Sequence, residues 1–256
     1  MNINFKEQDM ASLQGKTALV TGGSRGIGAA IARRLAADGA DVALTYASSE
    51  QQAEEVAAQV RAHGRQALAI RADNSDPAAV ADAVARAAAA FGKIDILVNN
   101  AGIFRAGSPT EATVEDFDVT MAVNVRAAFV AIKAVAAVMP DGGRIISIGS
   151  NLAVRVPGQG MAIYSASKAA LVGMTQGLAR DFGPRGITVN VVHPGSTATD
   201  MNPPDGPHSD WQRSLMAGQQ RYASPDEVAA VVALLASPEA QAVTGAAWTI
   251  DNGTNA

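Results

Sequence analysis

Thr17-Ala18-Leu19-Val20-Thr21 is an apolar run that leads straight into Gly22-Gly23-Ser24-Arg25-Gly26-Ile27-Gly28, and then into the helical stretch Ala29–Leu35. Strand, glycine turn and helix in that order constrain the fold more than anything else in the chain. Glycines permit the tight turn and let a pyrophosphate approach the backbone, and the following helix N-terminus attracts the anion. The spacing is Gly-x-x-x-Gly-x-Gly, which differs from the more common Gly-x-Gly-x-x-Gly.

The rest of the sequence continues the alternation. Strand candidates are Thr17–Thr21, Val42–Tyr46, Gln66–Arg71, Ile94–Asn99, Arg144–Ile148, Thr188–His193 and Ala247–Ile250. Helix candidates lie between them at Gly26–Asp38, Glu50–His63, Pro77–Phe91, Val119–Met139, Ile163–Phe182 and Pro225–Ala236. Continuous apolar strands separated by helices predict an α/β architecture: one Rossmann-type, doubly wound domain, with a seven-stranded parallel sheet and helices on both faces. Ser224-Pro225-Asp226-Glu227 reads as a capping box, Asp76-Pro77 as a similar start, and Ser49 with Gln52 as a third. Gly39, Gly64 and Gly92 stand where C-terminal caps belong. No linker divides residues 13–256. The stretch from Ser196 to about residue 220, with Pro203, Pro204, Gly206 and Pro207, is a candidate substrate lid.

Composition narrows the function classes. The 256 residues are 48% hydrophobic and carry a net charge of -4, a poor match for nucleic acid, which needs a basic surface. No run of 18 apolar residues predicts a membrane span, and residues 1–12, lacking a signal-peptide core, read as a flexible extension. A cytoplasmic location is the default expectation. With no cysteines, and with His63, His193 and His208 far apart, no metal site is expected.

Ile163-Tyr164-Ser165-Ala166-Ser167-Lys168 places a phenol and an ammonium on one helix face. A cation beside a phenol lowers its pKa from about 10 towards neutrality, so that the phenol exchanges a proton with a carbonyl or alcohol oxygen near pH 7. At the second strand, an acid at the C-terminal end would grip a ribose 2′-hydroxyl and repel a 2′-phosphate. That strand ends instead at Tyr46-Ala47-Ser48-Ser49, and Asp41 is at the wrong end. With Arg25 in the glycine loop and Ser48 and Ser49 close by, the pattern predicts NADP(H) over NAD(H).

Loop and Tyr–Lys pair together resemble the classical short-chain dehydrogenase/reductases, over nearly everything after residue 12. Asn99-Asn100-Ala101-Gly102, Asn124, Ser150 and Pro194-Gly195 extend the resemblance. It is nearest to 3-oxoacyl-[acyl-carrier-protein] reductases, and to a subgroup with a cyclic di-GMP-binding biofilm-dispersal protein, along Ser150–Leu152 and Ala179–Asn190. The resemblance implies that Tyr164 is a general acid and that Ser150 stabilises the developing alkoxide. Lys168 would hold the nicotinamide ribose and tune Tyr164, while Asn124 would position a water. It further implies that Gly22, Ser24, Arg25, Gly26, Ile27 and Gly28 hold phosphates, and that Tyr46, Ala47, Ser48 and Ser49 border the 2′-position. Asp73 and Asn74 would meet adenine, Asn100, Ala101 and Gly102 its ribose, and Pro194, Gly195, Thr197 and Thr199 the carboxamide and pyrophosphate. Ser150 lies 14 residues before Tyr164, one more than the family's common interval.

The expected substrate is a small-molecule carbonyl, mostly apolar, with Arg105 and Arg155 as candidate partners for an acidic handle. Alcohol or sugar oxidation, and nucleotide sequestration without catalysis, stay open as alternatives. Small residues along the helix after Tyr164 (Ala166, Ala169, Ala170, Gly173, Gly177) fit the homotetramer that the resemblance implies.

Overall fold

The computed structural model describes residues 13–256. The extension expected at 1–12 lies outside the described residues. The strands are Thr17–Val20 (β1), Asp41–Tyr46 (β2), Ala67–Arg71 (β3), Ile96–Asn99 (β4), Arg144–Ile148 (β5), Thr188–Pro194 (β6) and Ala247–Ile250 (β7). They form one sheet in the order β3-β2-β1-β4-β5-β6-β7, with every neighbouring pair parallel. Each residue of β1, β4, β5 and β6 is buried. A strand covered on both faces needs apolar side chains on both, which is why these runs lack polar alternation.

The helices are Gly26–Ala37 (α1), Glu50–Ala62 (α2), Pro77–Phe91 (α3), Val114–Met121 (α4), Ala127–Val135 (α5), Ala162–Phe182 (α6), Ser209–Ser214 (α7) and Pro225–Ala236 (α8). Ala18 and Val20 of β1 join one core with α1, α2 and α8, and Leu19 joins the other with α3 and α5. The chain therefore winds both ways from β1, and the crevice between the loops leaving β1 and β4 is the place where open α/β sheets bind ligands.

Most expected elements appear within two residues of their expected bounds. The helix expected at Val119–Met139 differs. It starts earlier, at Val114, because Thr113 and Asp116 form a capping box: the Thr113 hydroxyl accepts from the Asp116 N–H at 3.0 Å, and the Asp116 carboxylate accepts from the Thr113 N–H at 3.0 Å. It is then interrupted by a π-helical turn at Ala122–Arg126, and α5 stops at Val135. The capping box at Ser224 and Glu227 and the Asp76 cap both form, but Ser49 makes no side-chain capping bond. Among the described residues, no helix is long and apolar enough to cross a membrane.

Candidate active site

Tyr164 and Lys168 stand one turn apart at the start of α6. The Lys168 ammonium is 5.7 Å from the Tyr164 ring centroid and donates to the Ile148 carbonyl, the last of β5, at 2.9 Å. Lys168 is buried, and burial brings its pKa down to about 8. Tyr164 meets the Phe104 ring edge-on at 4.9 Å. Burial pushes the Tyr164 phenol up to about 12, with the Ser150 hydroxyl pulling the other way. The expected drop towards neutrality is thus overturned for the protein's own groups. The ammonium faces the ring and the Ile148 carbonyl, and the loss of water around the phenol dominates.

Ser150 ends the β5 turn. Its Oγ accepts from the Leu152 N–H at 3.2 Å, and its hydroxyl hydrogen faces the Tyr164 phenol, whose pKa it pulls down. Asn124 sits in the π-helical turn. Its Oδ1 accepts from the Ile103 N–H at 2.8 Å, and its Nδ2 donates to the Ile103 carbonyl and to Ser167 Oγ, each at 3.0 Å. Ser167 Oγ donates in turn to the Tyr164 carbonyl at 2.6 Å. Asn124 therefore ties the segment after β4 to α6, with both amide hydrogens engaged. Sequence reasoning missed Ser167, which looks like one more small residue on a helix.

The glycine loop has the shape its spacing implies. Gly22 and Gly26 adopt φ of 64° and 54°, in the left-handed region. A Cβ on Gly28 would fall 2.2 Å from the Gly22 carbonyl oxygen and 2.5 Å from Asn100 Nδ2. Asn100 donates to the carbonyls of Thr21 at 3.0 Å and Gly22 at 2.9 Å, while Thr21 Oγ1 accepts from the N–H groups of Asn100 and Ala101. Gly22 N–H donates to Thr45 Oγ1 at 3.0 Å. Asn100 thus braces the loop. Thr21 and Thr45, the partner braces, were not legible in the sequence, because their contacts run sideways across the sheet. A Cβ on Gly102 would lie 3.3 Å from Asn124 Oδ1 and 3.4 Å from Lys168 Nζ, so this glycine joins the cradle to those two side chains. Arg25 is the N-cap of α1 without a side-chain capping bond, and no acid occupies the helix's first turn. These features suit a bound pyrophosphate.

At the far end of the cradle, Arg25 lines an open cleft with Ser48, Ser49, Glu50, Gln51 and Gln52. Arg25 pairs there with Asp200 at 3.3 Å, both side chains exposed. Tyr46 is buried and its phenol is held above its usual value, first by burial and then by Glu50. Arg71, unnoticed in the sequence, ends β3 opposite Tyr46 and donates to the Ala47 carbonyl at 3.3 Å, adding a second cation. Asp73 accepts from the Ser75 N–H at 2.8 Å, with half-buried Asn74 beside it. Pro194 closes β6. Gly195 leaves no room for a side chain, since a Cβ would lie 2.6 Å from that of Asp251. Thr197 Oγ1 donates to the Gly195 carbonyl at 3.1 Å, and the Thr199 methyl packs towards Gly26.

The mouth is apolar. Phe104, Val154, Val156, Met201 and Trp211 are all exposed. Gly107 N–H donates to the Gly160 carbonyl at 2.9 Å, and the Trp211 indole lies 3.2 Å from where a Cβ on Gly158 would be, so α7 leans on the rim after Ser150. The two candidate handles are engaged elsewhere. Arg105 pairs with Asp116 at 2.6 Å, and Arg155 donates to the Thr254 carbonyl at 2.9 Å.

A family model described as enoyl-(acyl carrier protein) reductase matches residues 22–255. The cyclic-di-GMP-binding biofilm dispersal mediator protein of Escherichia coli K12 is 49% identical over 247 residues, 96% of this chain and 100% of that protein. The crystal structure of a short-chain dehydrogenase from Burkholderia cenocepacia J2315 in complex with NADP is 64% identical, with a TM-score of 0.94, covering 95% of this chain and 99% of that one. A blue fluorescent protein from a metagenomic library, crystallised with NADPH, is 55% identical at a TM-score of 0.94, covering 96% and 100%.

Proposed function

The chain belongs to the short-chain dehydrogenase/reductase family, and on that premise we propose that it reduces a neutral, mainly apolar ketone to a secondary alcohol with NADP(H). The observation that carries this reading is the meeting of a proton-holding Tyr164, a Ser150 hydroxyl turned towards that phenol, and buried Lys168 beside the glycine cradle. NADP(H) supplies or accepts the hydride when bound. Arg25, Ser48, Ser49 and Arg71 favour its 2′-phosphate, and the α1 N-terminus its pyrophosphate. Ser150 donates to the carbonyl oxygen and stabilises the charge that develops there. Tyr164 delivers the proton to that oxygen. A phenol near 12 holds its proton at pH 7, as a general acid in a reduction must. Lys168 stabilises the negative charge left on the phenol once its proton is given up, and Asn124 orders Ile103 and the Tyr164 turn and presents its remaining oxygen lone pair to water.

The engaged state of Arg105 and Arg155 favours a neutral ketone over an acidic one. Segment 196–220, with Trp211 resting on the rim, serves as the lid. The exposed small-residue face of α6 suits a homotetramer, and a cytoplasmic location fits the whole. A ketone and thioester panel assayed with NADPH and NADH tests the reading. NADPH-dependent turnover of aryl or alkyl ketones is expected, with Tyr164→Phe and Ser150→Ala each reducing kcat by about 100-fold or more. The 49% identity to a cyclic-di-GMP-binding protein favours a second reading, nucleotide sequestration, which predicts calorimetric binding of cyclic di-GMP and no turnover of any ketone.

A further inference from the structure

His193 stands in β6, fully buried, one residue before the Pro194-Gly195 turn. Its Nδ1 accepts a hydrogen bond from the Ser150 backbone N–H at 3.0 Å. The preceding residue makes this approach possible: a Cβ on Gly149 would lie 2.3 Å from His193 Nδ1. Only a residue without a side chain admits the ring there. The Ser150 N–H is the donor that the end of β5 would otherwise leave unpaired in the interior. We propose that His193 is a positioning residue, which holds Ser150 by its backbone so that the Ser150 hydroxyl stays beside the Tyr164 phenol, where the substrate oxygen would bind.

The ring chemistry fits. An acceptor Nδ1 requires the neutral tautomer with its proton on Nε2, because a doubly protonated ring would set N–H against N–H. Burial, and then the charge on Lys168, hold His193 below its usual value and keep it neutral. Nε2 has no partner among the described residues, so the ring's one protein hydrogen bond is the one to Ser150. The ring also links the two halves of the site, because its strand leads into the turn expected at the carboxamide while its nitrogen reaches Ser150.

The inference rests on the proposed reduction, and its test has one readout that does not. His193→Leu fills most of the volume without an acceptor, and His193→Asn keeps an acceptor near the Nδ1 position. If His193 acts through Ser150, His193→Leu lowers kcat by about tenfold or more, leaving KM for the ketone and NADPH affinity within about twofold, and His193→Asn restores most of kcat. In a Ser150→Ala background, His193→Leu then has no further effect on kcat. Hydrogen exchange at the Ser150 amide is read without substrate: it is protected in the parent and in His193→Asn, and fast in His193→Leu. Equal kcat in the Leu and Asn variants, additive losses in the double variant, or unchanged Ser150 protection in His193→Leu would each overturn the proposal. Inactivity of the parent with every ketone, alongside the expected exchange pattern, would reject the proposed reduction and leave the tether to Ser150 standing.

Discussion

At the residue scale, the two groups on α6 are moved in ways their spacing does not reveal. Lys168, at about 8, is charged below that pH and neutral above it. Reductive kcat/KM is therefore expected to be flat up to about pH 8 and to fall about tenfold per unit above it; a pH profile that rises between 7 and 10 would contradict the role given to the ammonium. Stability has the opposite sign there. Between about 8 and 10.5 the unfolded chain binds a proton at Lys168 that the folded one does not, so this group makes stability rise with pH. Between 10 and about 12 the folded chain keeps the Tyr164 proton, and that contribution falls. Denaturant midpoints measured alongside the activity profile separate the two effects. A second prediction concerns the cofactor. Arg71→Ala is expected to weaken NADP binding by about tenfold, with NAD binding unchanged, as read by calorimetry. Equal losses for both nucleotides would remove Arg71 from the 2′-site. The Tyr–Lys pair and the glycine loop could be read from the chain because their spacing along it is itself the signal, and Ser150 followed from the resemblance they carry. Arg71, Ser167 and Thr45 could not, since each works through a partner from a different element.

At the element scale, helix ends account for most of what agreed and most of what did not. The Ser224–Glu227 box forms, and Glu227 also pairs with both Arg221 nitrogens, at 2.6 and 2.8 Å. Arg221, then the Ser224 N–H, hold the Glu227 carboxyl at about 2. A lowered carboxylate value means that the stabilisation is present above about 4.5 and lost as pH falls towards 2. Because the pair is well exposed its effect is small, and Glu227→Gln is expected to lower Tm by about 2–4 °C at pH 7, mostly through the lost capping box, and by almost nothing near pH 2. A loss that persists in acid would assign the effect to packing instead. The π-helical turn at Ala122–Arg126 had no signature in the sequence. Its register is set by Asn124 reaching Ile103 and Ser167, not by local propensity. The C-terminal segment is a similar case: Asn255 Nδ2 donates to the Asn151 carbonyl at 2.7 Å, and Thr254 accepts from Arg155, so residues beyond β7 steady the turn after Ser150. Asn255→Ala is expected to lower kcat by about two- to fivefold with unchanged NADPH affinity, as stopped-flow hydride transfer would show.

At the scale of the whole molecule, α6 keeps an exposed face of small residues, with open space over Gly173 and Gly177, while Val114, Phe117 and Phe129 are exposed on α4 and α5. Apolar exposure of this kind is normally covered in an assembly. Light scattering after size exclusion is expected to report four chains, and Gly173→Arg to reduce that mass while leaving the monomer folded. A parent that elutes as one chain would reject the tetramer.

The seven parallel strands, the helices between them and the placing of Tyr164 and Lys168 on one helix face were determined by the sequence alone, because periodicity, glycine spacing and residue type act locally along the chain. The tertiary structure alone decided how that chemistry is tuned and aimed. Burial, not the nearby ammonium, dominates the Tyr164 phenol, His193 from β6 meets the Ser150 backbone, and Asp116 and Thr254 engage the two arginines that looked free. Each of these depends on which groups from distant parts of the chain lose water together. That is a property of packing, which no spacing along the chain encodes.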